Sequence, residues 1–138
     1  MLIGDGDGMV SQYSLNFQRN PGKVIKHYGN LGLGCIYSSS ILGHIAVFGG
    51  SDGKLGFIHT QNREFLGIRL DLAAKYIYSI QFFWIRDKQS PPKALLTVSG
   101  REYDYSFKTD VLDVTQLFLK EEKVKNFQTL KRRSSILK

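Results

Sequence analysis

The sequence predicts an all-β fold built from repeated β-hairpins, and three observations lead to this prediction. The stretch HIAVFGGSDGKLGFIHTQ at residues 44–61 places β-branched and aromatic residues on both sides of a glycine-rich turn. Its Asp52-Gly53 pair is typical of a tight turn, because Asp tolerates a left-handed backbone and Gly has no Cβ that could clash. Residues 1–15 and 94–109 repeat the order of apolar run, glycine-containing turn and second run.

The spacing of these hairpins indicates the architecture. Asp7 and Asp52, each followed by Gly, are 45 residues apart, and Gly50 and Gly100 are 50 residues apart. A period in this range that is carried by strands alone is typical of β-propeller blades, which contain four antiparallel strands. The predicted fold class is therefore all-β, namely a partial β-propeller of four-stranded antiparallel blades with a basic C-terminal helix or tail.

The hairpin with an Asp-Gly turn at this period resembles the WD-repeat propellers, and the resemblance covers residues 1–109. In that family the hairpin forms the second and third strands of each blade. No Gly-His pair opens a repeat here, and no Trp-Asp pair closes a third strand. The pairs that stand near those places are Tyr13-Ser14, Ile58-His59 and Phe107-Lys108. The segment SDGKLGFI is also similar to repeats of quinoprotein-like propellers.

The chain is predicted to have two parts. Residues 1–109 contain the end of one repeat, one complete repeat and most of another, and residues 110–138 form an amphipathic helix and a basic C-terminal tail. The first residues already look like the second strand of a blade. A closed propeller needs at least about four blades. The chain is therefore expected to be a segment of a larger propeller, a truncated sequence, or a protomer completed by other copies.

The residues between the hairpins supply the remaining strands of the predicted blades. Polar and apolar residues alternate in KVIKHY, as in a half-exposed outer strand, whereas the aromatic run that begins at Tyr76 indicates a buried inner strand. The predicted outer strands are Lys23–Tyr28 and Arg63–Leu70, the predicted inner strands are Cys35–Ile41 and Tyr76–Ile85, and Arg86–Pro92 is predicted to be an insertion on an exposed rim.

The pattern changes after residue 109. Asp110 is a candidate helix cap, and apolar residues follow it at helical spacing: Val111, Val114, Leu117 and Phe118. The favoured prediction is a helix, and the alternative is that residues 111–118 are the outer strand of the last blade. From residue 120 on, seven basic and two acidic residues give a charge of +5, out of +7 for the whole chain.

The resemblance implies where partners bind. In WD-repeat propellers, partner contacts concentrate on the face formed by the turns between second and third strands and by the connections between blades. Carried onto this chain, the protein-binding residues are Asp7, Asn30, Asp52 and Arg101. No chemical step is implied by these positions.

The residues do not predict a metal, a cofactor or a catalytic group. Asp5 and Asp7 are spaced like calcium ligands, but Ile3 and Ser14 stand where the calcium loop needs further acidic ligands. No metal-ligand spacing connects the three histidines, His27, His44 and His59. We therefore do not predict an enzyme from these residues.

One short motif in the tail predicts a modification. Residues 132–136, RRSSI, resemble the acceptor sequence of basophilic kinases, with Ser135 as the acceptor. A phosphate there would remove about 1.5 to 2 charges from the tail. Ser135 is therefore the candidate phosphorylation site.

Taken together, these patterns predict a protein–protein interaction scaffold that acts within a larger assembly. Its partners would be other proteins, including further propeller blades or copies of itself. The alternatives are part of a propeller-scaffold enzyme, quinoprotein-like or hydrolytic, and nucleic-acid binding through residues 120–138. A single cysteine, Cys35, excludes an intramolecular disulfide and favours a cytoplasmic location, with the nucleus as the alternative. No segment approaches the roughly 20 apolar residues of a membrane span.

Overall fold

The computed structural model describes residues 1–15 and 22–119, and strands make up 62% of these residues. The prediction of a mostly β chain is confirmed. The strands are β1 (Leu2–Gly4), β2 (Met9–Tyr13), β3 (Val24–Asn30), β4 (Ile36–Leu42), β5 (Ile45–Gly50), β6 (Leu55–His59), β7 (Glu64–Arg69), β8 (Tyr76–Asp87), β9 (Ser90–Arg101) and β10 (Phe107–Asp113). A single helical turn, α1, follows at residues 115–119.

The strands form three antiparallel sheets, and strands that are neighbours in sequence are neighbours in space. The first sheet has the order β1-β2-β3, the central sheet β4-β5-β6-β7, and the third sheet β8-β9-β10. The three predicted hairpins are β1-β2, β5-β6 and β9-β10. Consecutive strands of each sheet are antiparallel, and antiparallel neighbours can be joined by short turns.

The central sheet is covered on both faces, and every residue of β5 and β6 is buried. Successive side chains of a strand point to opposite faces. One face carries Ala46 and Phe48 and packs against the first sheet in a cluster with Val10, Leu31, Leu33 and Ile58. The other face packs against the third sheet in a larger cluster, which contains Ile45, Val47, Leu55, Phe57, Ile77, Ile80, Leu96 and Val98.

The contact between successive sheets is repeated. A Cβ added to Gly4 would lie 2.8 Å from Ile36, the first residue of β4. A Cβ added to Gly49 would lie 2.8 Å from Ile77, near the start of β8. In both cases a glycine near the end of a strand lets an isoleucine of the next sheet approach the backbone. The same local glycine–isoleucine contact thus occurs at both boundaries between successive sheets.

A second pair of glycines holds equivalent places relative to the first strand of each sheet, since Gly50 lies opposite Ile36 and Gly100 opposite Ile77. A Cβ on Gly50 would overlap the carbonyl oxygen of Cys35, and a Cβ on Gly100 would overlap the carbonyl oxygen of Tyr76. Both carbonyl groups stand where the first strand of the sheet begins. The spacing that relates Gly50 to Gly100 in the sequence thus corresponds to the same backbone contact in two sheets.

The predicted helix from Asp110 is wrong at its start, because residues 107–113 form β10 and, up to residue 119 where the description ends, helix begins only at residue 115. The alternative of a separate outer strand is also wrong for residues 111–113, which continue the third strand of the sheet. β10 pairs with β9 over its full length, from Phe107 opposite Arg101 to Asp113 opposite Leu95. This pairing overrides the local helical spacing.

The predicted insertion at residues 86–92 is also wrong. β8 and β9 continue through it, and Asp87 pairs with Ser90 across a turn of two residues. Pro91 and Pro92 lie in β9 at this exposed tip, where a missing N–H leaves no buried acceptor unpaired.

The turn α1 closes the described part of the third sheet. The Asp113 carboxylate accepts hydrogen bonds from the Thr115 N–H at 3.0 Å and the Thr115 hydroxyl at 2.5 Å, as a helix cap does. The Phe118 ring packs on Trp84 and Phe82, with centroid distances of 5.3 and 6.1 Å. No helix within residues 1–15 and 22–119 is long and apolar enough to cross a membrane.

Candidate functional site

One edge of the molecule collects the turns of the three hairpins and the connections between the sheets. We call it the turn edge and define it as residues 5–8, 30–35, 51–54, 71–75 and 101–106. Backbone hydrogen bonds join each turn to a connection between the sheets. They run from Ile36 N–H to the Asp5 carbonyl (3.2 Å), from Asp52 N–H to the Leu33 carbonyl (3.2 Å), from Ser51 N–H to the Cys35 carbonyl (3.0 Å) and from Lys75 N–H to the Arg101 carbonyl (2.9 Å).

All four predicted protein-binding residues lie on the turn edge, and the structure brings two of them into contact. The Asn30 amide donates to the carbonyl of Asp7 at 3.1 Å, and its oxygen accepts from Gly32 N–H at 2.8 Å. The exposed Asp52 belongs to the second turn, and Arg101 is the last residue of β9, directly before the third turn. Asp7 and Asn30 therefore form one unit, whereas Asp52 and Arg101 are separate positions along the same edge. Their role in binding stays a prediction.

Arg101 is surrounded by tyrosines. Its guanidinium carbon lies 4.2 Å from the ring centroid of Tyr76 and 4.6 Å from that of Tyr105, and its Nε donates to the Tyr78 hydroxyl at 2.9 Å. The ring of Tyr103 meets Tyr76 edge-on at 5.9 Å. We call these five residues the Arg101 cluster. The hydrogen bond to Tyr78 raises the pKa of Arg101, whose guanidinium is charged at physiological pH even without this shift.

The sequence predicts the third hairpin, but it does not predict which residues form its turn. Gly8 N–H donates to the Asp5 carbonyl at 3.1 Å, and Tyr105 N–H donates to the Glu102 carbonyl at the same distance. Gly8 has a φ of 81° and Tyr105 a φ of 66°. Tyr105 thus stands in the left-handed position that glycine holds in the first turn. The residue before it, Asp104, corresponds to Asp7, and this aspartate is the signal that the sequence contains.

The third turn is held by Asp104 and Ser106. The Asp104 carboxylate accepts from the Ser106 hydroxyl at 2.6 Å and from the Ser106 N–H at 3.0 Å. These bonds, the hydroxyl first, lower the pKa of Asp104. Any stability that the bonds give is therefore present above the ordinary pKa of 3.8 and is lost as the pH falls through the lowered value.

The Ser106→Ala variant tests this assignment. We expect the pKa of Asp104 to rise towards its ordinary value, because the hydroxyl bond is the largest cause of the shift. An NMR titration of the carboxyl carbons measures it. Asp71 is the internal control, since Arg69 and not Ser106 lowers its pKa. An unchanged Asp104 titration would contradict the assignment.

The remaining candidate residues lie apart from the turn edge or outside the described residues. The His27 ring is hydrogen-bonded to the Ser11 hydroxyl at 2.8 Å, and the rings of His44 and His59 stack with centroids 5.9 Å apart. Within the described ranges, no three His, Cys, Asp or Glu side chains come together as a metal site would require. Ser135 and the basic tail lie outside the described residues.

Comparisons of the chain with protein-family models, with curated proteins and with solved structures return no match.

Proposed function

We propose that this chain is a protein–protein interaction module, a segment of a WD-repeat-like β-propeller that acts within a larger assembly. The observation that carries the proposal is the repeated contact between sheets. Gly4 against Ile36 and Gly49 against Ile77 are two copies of one packing arrangement. A propeller is built by such radial repetition of four-stranded antiparallel sheets.

The exposed face of the first sheet supports a role in assembly. Leu2 and Gly4 face the central sheet, so Ile3 between them points away from it and is 46% exposed. Met9 is on the same outer face, because its neighbour Val10 is fully buried on the inner one. In the central sheet the equivalent strands are buried on both faces. A further sheet, from another protein or from another copy of this chain, would cover this outer face in the same way.

Strand edges favour the same role. Among residues 1–15 and 22–119, no strand pairs with the outer edge of β1 or of β10. Unpaired N–H and C=O groups on a sheet edge accept an additional strand. Both ends of the three-sheet unit therefore offer backbone groups to a partner.

The mass of the native particle tests the proposal, and light scattering on the full chain measures it. We expect a discrete particle well above the monomer mass of 15.7 kDa. Ile3→Glu should reduce that mass, because it places a charge in the face that a further sheet would cover. A folded particle of monomer mass at all concentrations tested would contradict assembly with itself.

The matched control is Ile68→Glu. Ile68 is on β7 of the central sheet and is 41% exposed, so the substitution, the residue type and the exposure match those of Ile3. We expect the mass to stay unchanged in this variant. Equal loss of mass in both variants would show that the first sheet has no special role.

A further inference from the structure

We propose that the Arg101 cluster binds an acidic segment of a partner protein, with the guanidinium of Arg101 as the carboxylate-binding group. The inference rests on the proposed function and names the chemistry of the partner at one of its turns. Three observations carry it: the state of the guanidinium, the difference between the third turn and the other two, and the exposure of the surrounding rings.

The guanidinium is fixed in place but has donors left over. Tyr76 and Tyr105 stack on it, and the Tyr78 hydroxyl takes its Nε–H. In the part of the chain that the structure describes, its two terminal Nη groups make no hydrogen bond or ion pair. A stacked guanidinium loses little freedom on binding, and its planar pair of N–H donors matches a carboxylate in two-point geometry.

The Asp104 carboxylate of the third turn is already engaged in hydrogen bonds. The Asp104 carboxylate accepts two bonds from Ser106 within its own turn. Arg69, by contrast, is paired with Asp71 through two hydrogen bonds of 2.9 and 3.3 Å. The charge of Arg69 is thus paired inside the molecule. The carboxylate of a partner would pair with the charge of Arg101 in the same way.

In each of the first two turns, a glycine allows a connection between sheets to lie close against the turn. The third turn lacks this glycine. A Cβ on Gly8 would lie 2.6 Å from the Gly34 carbonyl oxygen, and a Cβ on Gly53 would lie 3.0 Å from that of Ala74. At the corresponding position the third turn carries Tyr105. A connection cannot approach a tyrosine as closely as it approaches a glycine, so this turn stays open when further sheets are added.

The same replacement occurs at the end of the preceding strand. Gly4 lies opposite Val10 in the last pair before the first turn, Gly49 lies opposite Leu55, and Arg101 lies opposite Phe107. Arg101 thus stands where the other two hairpins have the glycine that receives an isoleucine of the next sheet. Arg101 and Tyr105, which stack on each other, thus occupy two positions that glycines hold in the other two hairpins.

The rings around Arg101 are unusually exposed for aromatic side chains. Tyr103 and Tyr105 are 71% and 77% exposed, and Tyr37, whose ring lies 5.6 Å from that of Tyr78, extends the surface onto β4. Five of the seven tyrosines of the sequence are therefore in or beside the cluster. Tyr and Arg are the residues enriched at binding hot spots, because rigid rings bury a large area around a charged contact.

Tyr105 also has a conformation that a tyrosine adopts only at an energetic cost. Its φ of 66° is in the left-handed region, where glycine is comfortable and a side chain with a Cβ is strained. Strain of this kind is typically held at functional sites. The backbone of the turn favours glycine here, so the Tyr105 ring is present at an energetic cost.

The experiment selects binders from two phage-displayed libraries of short peptides on the full chain. The libraries share one design, except that one fixes Asp or Glu at its central positions and the other fixes Asn or Gln. We expect enrichment from the acidic library alone. A selected peptide, labelled with a fluorophore, then gives dissociation constants by anisotropy for the protein and its variants.

Arg101→Lys keeps the charge but loses the planar pair of donors, and we expect it to weaken the peptide at least about tenfold. Tyr105→Gly places in the third turn the residue of the other two turns, so the urea midpoint should stay equal or rise while binding is lost. Retained stability together with lost binding would show that Tyr105 acts in binding and not in folding. Arg69→Lys is the matched control and should leave binding unchanged, because Asp71 already occupies that arginine.

Equal enrichment from the two libraries, or no enrichment from either, would overturn the proposal. Binding that survives Arg101→Lys, or tight binding of an oligouridylate in place of acidic peptides, would do so as well. The light-scattering test is independent of these outcomes. If the chain assembles but does not bind acidic peptides, the proposed function stands and only this inference fails. If it stays monomeric but binds them, this inference stands and the proposed self-assembly fails.

Discussion

Gly100→Ala is expected to destabilise the fold by roughly 3 kcal/mol or more. Its Cβ would overlap the carbonyl oxygen of Tyr76, which belongs to the backbone of the neighbouring strand. A backbone atom cannot rotate away as a side chain does, so β8 and β9 would have to separate where they begin to pair. Urea unfolding followed by the fluorescence of Trp84, the single tryptophan, measures the change.

Gly50→Ala should have an effect of similar size, since Gly50 makes the same contact with the carbonyl group of Cys35. The control is Gly6→Ala. Gly6 has no heavy atom within 4 Å of an added Cβ and does not have a positive φ, so this change should stay within about 0.5 kcal/mol. A small effect at Gly100 together with a large one at Gly50 would contradict the structural equivalence of the two sheets.

Ile77→Ala is expected to cost roughly 2 to 4 kcal/mol, the second large effect. Ile77 is fully buried in the cluster between the central and third sheets, and its side chain lies against Gly49. Truncation removes buried methyl groups and leaves a cavity between two sheets that are each held by their own backbone pairing. The surrounding structure can therefore close the cavity only in part. Urea or thermal unfolding reports the loss.

Ile41→Ala is the matched control for Ile77→Ala. Ile41 is in β4, the first strand of the central sheet, and is 60% exposed. Its truncation should change the free energy of unfolding by no more than about 0.5 kcal/mol. If the two truncations cost the same, the packing of the third sheet on the central sheet does not support the fold in the way described above.

The strands and hairpins are predictable because their signals are local. Alternating apolar residues and the Asp-Gly turns lie within a few residues of one another, and the φ of Gly53, 67°, is the one that such a turn requires. The repeat spacing is predictable as well, because it is the distance in sequence between these local turn signals. Local signals do not fix how long a strand runs, however, since that depends on a partner elsewhere in the chain.

Residues 110–114 show this limit. Val111 and Val114 have helical spacing, but Leu112 and Val114 are the buried residues, while Val111 is 62% exposed. This alternation is the period of a strand, and it is imposed by pairing with β9. The helix prediction gives the longer helical pattern more weight than this short alternation, and pairing with a strand more than ten residues away decides the outcome.

Local sequence patterns do not predict the Arg101 cluster. The resemblance to WD-repeat propellers implies Arg101 as a binding residue, but Tyr76 and Tyr78 precede it by more than twenty residues. They reach it only because β8 pairs with β9. The position of Tyr105, by contrast, has a local signal, because an alignment of the turns by their aspartates matches Asp104 with Asp52 and places Tyr105 opposite Gly53.

The glycine contacts set the spacing of the sheets, whereas a partner would touch the turns. At Gly4 and Gly49 an isoleucine side chain of the next sheet lies against the strand backbone, so turn side chains contribute little to the distance between the sheets. The turns are therefore free to change their chemistry without moving the strands that carry them. A library of variants on the turn edge would alter recognition while preserving architecture, which makes this small unit an adaptable platform for engineered binding loops.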